Sequence, residues 1–280
     1  MDESDFKNTP LVAALGSYIE FFGRTIQFFD VGTRALTVLS ALTPIFAHPI
    51  AGALLGTQRW AQAIKTHLMG KREIDDGFEF FAALILLSSW AAFEAYIDDA
   101  CKAVLQMDPP LLNQGNLSRV KLSYAESQLD QMSQFDVYLR KGAYLTNAST
   151  AVQKIERELK LVNLNGHVPQ DLTDHINTSK LIRNVWAHNA GKADRYFVEN
   201  SVNTPFGVGD TVTVSKESLT TDAIGMASYA IMILNRFRVA HGMQAAEAYP
   251  GTTDAPNPFK PNIDALFPNP ISWRDLWPTA

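Results

Sequence analysis

Arg183, Asn184 and His188 fall within one six-residue run, Arg183-Asn184-Val185-Trp186-Ala187-His188, which continues as Asn189-Ala190-Gly191-Lys192. These residue types suit phosphodiester chemistry near neutral pH. A histidine exchanges protons in that range and can act as acid or base. An arginine stays charged and meets phosphate oxygens through two parallel N–H groups. Metal-free cleavage of RNA needs a base for the 2′-OH proton and an acid for the leaving 5′-oxygen. It also needs positive charge on the phosphorane-like transition state. One histidine fills only one of the two proton roles at a time.

A helix must position this run. Over residues 173–187, Ile176, Leu181, Ile182, Val185 and Trp186 recur at spacings near three and four, and Gly191 is placed to end the helix. Residues five apart on a helix are separated by about 140° around the axis and roughly 7.5 Å along it. One straight helix therefore does not aim Arg183 and His188 at the same atom. Asn184 and His188, at i and i+4, share a face, so Asn184 is placed to orient the imidazole. The geometry improves if His188 lies at a frayed helix end or if two copies meet across a twofold axis. Each residue also has an ordinary reading. His188 would interact with the last carbonyls of its helix, and Arg183 would be a surface or ion-paired arginine.

The run Arg-Asn-x-x-x-His followed by Asn-x-Gly resembles the Rx4-6H signature of the HEPN superfamily (higher eukaryotes and prokaryotes nucleotide-binding domain). Three further features are similar to that family. An apolar helix upstream carries one acid, Glu94, in the run 84–96. An amphipathic helix, 152–159, precedes the motif. A short polar–apolar alternation, 209–214, and a closing helix follow it. The resemblance covers roughly residues 75–240. It implies an all-α helical bundle, a homodimer, and metal-independent endoribonuclease activity on single-stranded RNA or tRNA loops, in the setting of anti-phage defence or toxin–antitoxin systems. It implies Arg183 as phosphate stabiliser, His188 as acid or base and Asn184 as orienter. In one branch of the family a tyrosine stands two residues after the histidine and is modified by a partner enzyme; Ala190 stands there in this chain. A non-catalytic module that binds nucleotide, RNA or protein is the alternative from a different class.

Supporting residues are sought among the charges near the motif. Glu94 is the only charge in an apolar run, and an unpaired buried carboxylate is costly. Glu94 is therefore expected to pair with Arg183, to lie on a narrow exposed stripe or to bond a helix terminus. Asp98, one turn later, is placed to share the role, and Asp99 to face solvent. Lys180 and Lys192 flank the motif and are candidates for RNA contact, as is Asn189. Lys154, Arg157, Lys160 and Arg195 are also near in sequence, but Glu156, Glu158, Asp171, Asp174 and Asp194 are interleaved with them. No metal site or cofactor is expected: His167 and His175 lack a ligand pattern, and there is no P-loop or G-x-S-x-G elbow.

Composition narrows the classes. The 280 residues are 46% hydrophobic and 19% charged, ordinary for a globular chain. The net charge of −5 makes the whole molecule a poor electrostatic partner for nucleic acid, so an RNA site must be a local patch. Cys101 is the one cysteine and Met1–Phe6 is acidic. Both point to a cytoplasmic protein.

Three parts are expected: an N-terminal helical extension (1–72), a helical domain that the resemblance implies is HEPN-like (73–245) and a Pro-rich extended tail (246–280). Helices are predicted over 11–29, 31–47, 50–68, 74–105, 148–161 and 217–242, with an exposed helix or helix pair over 117–140. A short strand or hairpin arm is predicted over 208–214, after a turn at 204–207. The stretch 35–58 has no charge and passes a length filter for a membrane span. Pro44 and Pro49 interrupt it, so two buried helices are expected there, with membrane insertion as the alternative. The terminal segments are candidates for an inhibitory or activating protein partner.

Overall fold

The computed structural model describes residues 1–41, 56–202, 204–251, 255–267 and 269–272. Among them eleven α-helices form the architecture, with no strand. In chain order they are α1 (Glu3–Lys7), α2 (Pro10–Ala41), α3 (Thr57–Asp75), α4 (Glu79–Met107), α5 (Tyr124–Ser127), α6 (Gln131–Tyr144), α7 (Ala151–Lys160), α8 (Gln170–Asn189), α9 (Arg195–Asn200), α10 (Lys216–Ala240) and α11 (Lys260–Asp264). The chain is an all-α helical bundle.

Two helices carry the core. α4 packs on α2, α3, α6, α7, α8 and α10, and α10 is buried along most of its length. Tyr18 of α2 stacks on Tyr96 of α4 with ring centroids 5.3 Å apart. Phe93 sits edge-on to Tyr229 of α10 at 5.8 Å. The Tyr96 hydroxyl donates to the Ala230 carbonyl at 3.0 Å, so the phenol is satisfied inside the bundle. By length and composition α4 could cross a bilayer, but half of its most apolar stretch is buried within the bundle. One cluster of buried residues includes Leu11 and Leu15 from the N-terminal segment, most of α4 and α10, and Phe259 and Ile263 from the tail.

Several boundaries differ from the sequence reading for local reasons. The helices predicted at 11–29 and 31–47 are one continuous helix through Ala41. Asp30 and Arg34 pair across one turn at 2.7 Å, and Gly32 lies so close to Phe81 that a Cβ there would meet the ring at 2.6 Å. Residues 42–55, including Pro44, Pro49 and most of the charge-free stretch, lie outside the described residues. α3 runs on to Asp75. Gly77 (φ 67) and Phe78 (φ 63) then turn the chain in the left-handed region before α4 begins at Glu79, not at Ile74. Asp108-Pro109-Pro110 ends α4 as expected, in a 3₁₀ turn over Pro109–Asn113.

The predicted hairpin arm is instead an extended segment. The alternation at 208–214 places Val212 and Val214 inward, but the pairing with residues 191–193 amounts to one antiparallel bridge, Lys192 with Thr211. Its hydrogen bonds join Gly209 to Ala193, Ala193 to Asp210 and Val212 to Gly191. The described part of the Pro-rich tail is anchored to the bundle and contains α11. Asn235 of α10 donates to the Ala246 carbonyl at 2.7 Å and accepts from its N–H at 2.9 Å. Buried Asn257 donates to Ser228 at 2.8 Å. Trp273 and Trp277 lie outside the described residues.

Candidate functional site

α8 carries the motif, and its neighbours explain its position. Leu172, Ile176, Ser179 and Val185 face inward. Asn177 accepts from the Val152 N–H at 3.0 Å and so ties α8 to the start of α7. The helix ends in a Schellman turn: Ala190 is left-handed (φ 49), and the Gly191 N–H reaches the Val185 carbonyl at 3.2 Å. Gly191 is required twice over. Its φ is 78, and a Cβ there would press on the Trp186 indole at 3.0 Å. The indole N–H donates to the Val212 carbonyl at 3.0 Å, which locks the extended segment against α8. A small second core of Val185, Ala193, Phe197 and Val212 completes this end.

This turn settles one geometric question. The helix continues without fraying through Asn189. His188 therefore stays about 140° around and roughly 7.5 Å along the axis from Arg183. The end of α8 thus does nothing to bring the two onto one face.

Arg183 is held on both sides. Its Nη1 donates to Asn184 Oδ1 at 3.2 Å, and its Nη2 lies 3.7 Å from Glu94 Oε2. Its Nε is buried without a partner among the described residues. Asn184 thus serves the arginine and not the imidazole, a correction to the i, i+4 expectation. The adjacent guanidinium offers a charged donor, while His188 is exposed and makes no hydrogen bond among the described residues.

Glu94 is both paired and partly exposed. Its stronger partner is Lys180, at 2.5 Å from Oε1, with Arg183 second. Lys180 also lies over the Trp90 ring, 5.0 Å from its centroid. Burial pulls the Lys180 ammonium below its ordinary pKa, and the hydrogen bond to Glu94 opposes that shift without cancelling it. Lys180 is therefore a structural partner of Glu94 before it is an RNA contact. Asn189 donates to Asp194 at 2.8 Å, and Asp194 caps α9. Lys192 donates to Thr211 at 2.6 Å. Both hold the loop after α8 in place.

Asp98 does not join the Glu94 pair. It lines a cleft of about 580 Å³ between α4, α6 and α7, together with Arg140, Tyr144, Lys154, Arg157 and Glu158. Burial pushes the Asp98 carboxyl up. Lys102 opposes the shift, and the negative charges of Asp136, Asp99 and Glu94 reinforce it. Glu158 is raised further, to about 7, first by burial and then by Asp98, with Arg157 and Lys154 pulling it back. The sequence reading placed Glu158 only among the acids interleaved with nearby cations. The Asp98 carboxyl that disturbs it comes from α4, sixty residues away. The one available signal was the i, i+4 pair Lys154–Glu158 on an amphipathic helix.

A second cleft, of about 530 Å³, lies where α3, the start of α4 and the end of α8 meet. Phe80 and Trp186 line it with ring centroids 5.8 Å apart, among Arg72, Glu73, Asp76 and Glu79. Elsewhere, Asp222 of α10 is buried against Ser179, whose hydroxyl donates at 2.5 Å, and against His175 at 3.0 Å. Among the described residues no group of three or more His, Cys, Asp or Glu side chains is arranged to hold a metal ion.

The chain matches no protein-family model, no curated protein and no solved structure at a significant level.

Proposed function

We propose that the chain is a metal-independent endoribonuclease of the HEPN type, acting as a homodimer on single-stranded RNA or tRNA loops. The observation that carries the reading is one end of one helix. There a half-buried Arg183 is fixed by Asn184 and Glu94, while five residues on an exposed His188 is free to meet a substrate or a second copy. Arg183 would stabilise charge on the phosphorane, and His188 would move protons at the 2′-OH or the 5′-oxygen. Two protomers supply two such histidines, which gives the acid and the base that one chain lacks. The exposed Phe80 ring beside Trp186 offers an unpaired base a stacking surface next to this end of α8. The resemblance places such an activity in anti-phage defence or a toxin pair, in the cytoplasm, under a protein partner that inhibits or triggers it.

Product ends test the reading. Cleavage by 2′-OH attack leaves 2′,3′-cyclic phosphate and 5′-hydroxyl termini, and the His188→Ala protein should make fewer by at least about a hundredfold. Products with 5′-phosphate ends, or equal rates from the two proteins, would remove it.

A second reading has a specific observation in its favour. The cleft between α4, α6 and α7 contains neither Arg183 nor His188, and Glu94 already offsets part of the arginine charge. A non-catalytic module that binds nucleotide, RNA or a protein fits those facts. It predicts binding without cleavage under all conditions.

A further inference from the structure

The cleft between α4, α6 and α7 holds charges that packing has left unpaired. Asp98, Glu158, Arg140 and Lys154 make no side-chain hydrogen bond or ion pair among the described residues. Arg157 gives one nitrogen to the Thr146 carbonyl at 3.0 Å and keeps Nε buried with no partner among the described residues. Asp136, at the same cleft, is already neutralised by Lys102 at 2.6 Å. Three cations and two carboxyls therefore remain around a space of about 580 Å³, with the exposed ring of Tyr144 at its edge. That volume lies within the usual range for small-ligand sites.

The two sets of charges ask for different parts of one ligand. Guanidinium and ammonium groups recognise a phosphate dianion. A carboxylate offers only acceptors and needs adjacent N–H donors, as on the Watson–Crick edge of guanine. An exposed phenol ring stacks on a base. We propose that this cleft binds a nucleoside monophosphate unit. Its phosphate lies against Arg140, Lys154 and Arg157, its N–H edge against Asp98 and Glu158, and its ring face against Tyr144. The site is separate from Arg183 and His188, so it stands or falls independently of the nuclease reading.

Equilibrium dialysis of the full chain against GMP, guanosine and inorganic phosphate tests it. GMP should bind at least about tenfold more tightly than either fragment. Arg140→Ala and Lys154→Ala replace exposed side chains, so the fold should survive them. Each should weaken GMP by about tenfold or more and weaken phosphate likewise. Glu158→Leu should weaken GMP and guanosine and leave phosphate unchanged, and His188→Ala should change none of the three. Competition with a short RNA carrying a 5′-phosphate separates two sources of the same chemistry. Displacement of GMP assigns the site to an RNA end, and retention assigns it to the free nucleotide. GMP that binds no better than phosphate, or equally to the parent and to the Arg140, Lys154 and Glu158 variants, would overturn the proposal.

Discussion

Replacing Glu158 by glutamine removes a carboxyl whose ionisation the fold opposes. Its folded-state pKa is about 7, against an ordinary value of 4.5. Between those two values the folded chain keeps a proton that the unfolded chain has lost. Stability therefore falls as pH rises through that window and levels off above it. At about 1.36 kcal/mol per pH unit the full effect is bounded near roughly 3 kcal/mol. Water at the mouth of the cleft and the nearby Lys154 and Arg157 reduce it, so about 1–2 kcal/mol is expected. The glutamine variant should match the parent at about pH 4, where the parent's Glu158 is mostly protonated both folded and unfolded, and exceed it by that amount at about pH 8. Urea unfolding followed by circular dichroism across the window measures the difference. Parallel curves for the two proteins, or a variant less stable at the alkaline end, would refute the reasoning about burial and Asp98.

Other substitutions probe the motif end of α8 and the N-terminal clamp. Ala190→Gly should stabilise the chain by about 0.5–1 kcal/mol in thermal unfolding, because Ala190 sits in the left-handed region. Gly191→Ala should cost about 1–3 kcal/mol in the same assay, since the new methyl meets Trp186 and φ is positive. Glu94→Gln removes the anion that fixes Lys180 and Arg183. RNA cleavage should drop by about tenfold while stability moves by less than about 1 kcal/mol, as measured by rate and urea midpoint together. Arg238→Met should lower stability by about 1–3 kcal/mol and loosen α1 in hydrogen exchange. The buried guanidinium holds Glu3 at 2.8 and 3.1 Å and the Gln244 carbonyl at 2.7 Å.

Much of the fold could be read from periodicity. α4, α7, α8 and α10 were each anticipated within a few residues because their apolar spacing is strong and their ends carry recognisable stops, such as Pro109 and Gly191. The misplaced break in α2 shows what periodicity misses. The split expected at residue 30 is absent, and Gly32 inside α2 is a close-packing residue against Phe81, which is distant in sequence. The extended segment at 208–214 alternates as a strand does, yet among the described residues it pairs only with the short turn after α8. At the candidate site, spacing placed Arg183 and His188 on different faces of one helix, and α8 runs as a regular helix to Asn189. Spacing on one helix could not show that Asn184 turns to Arg183, or that Lys180 takes the larger share of Glu94. Those outcomes depend on how α4 crosses α8. The raised carboxyl of Glu158 depends likewise on Asp98, brought close by packing alone.

The most direct measurement is cleavage of total cellular RNA in excess EDTA by the parent, Arg183→Ala and His188→Ala proteins. The account predicts cleavage by the parent and its loss in both variants, with all three equally folded by circular dichroism. Cleavage that persists in either variant, or that EDTA abolishes in the parent, would contradict a metal-independent reaction centred on Arg183 and His188.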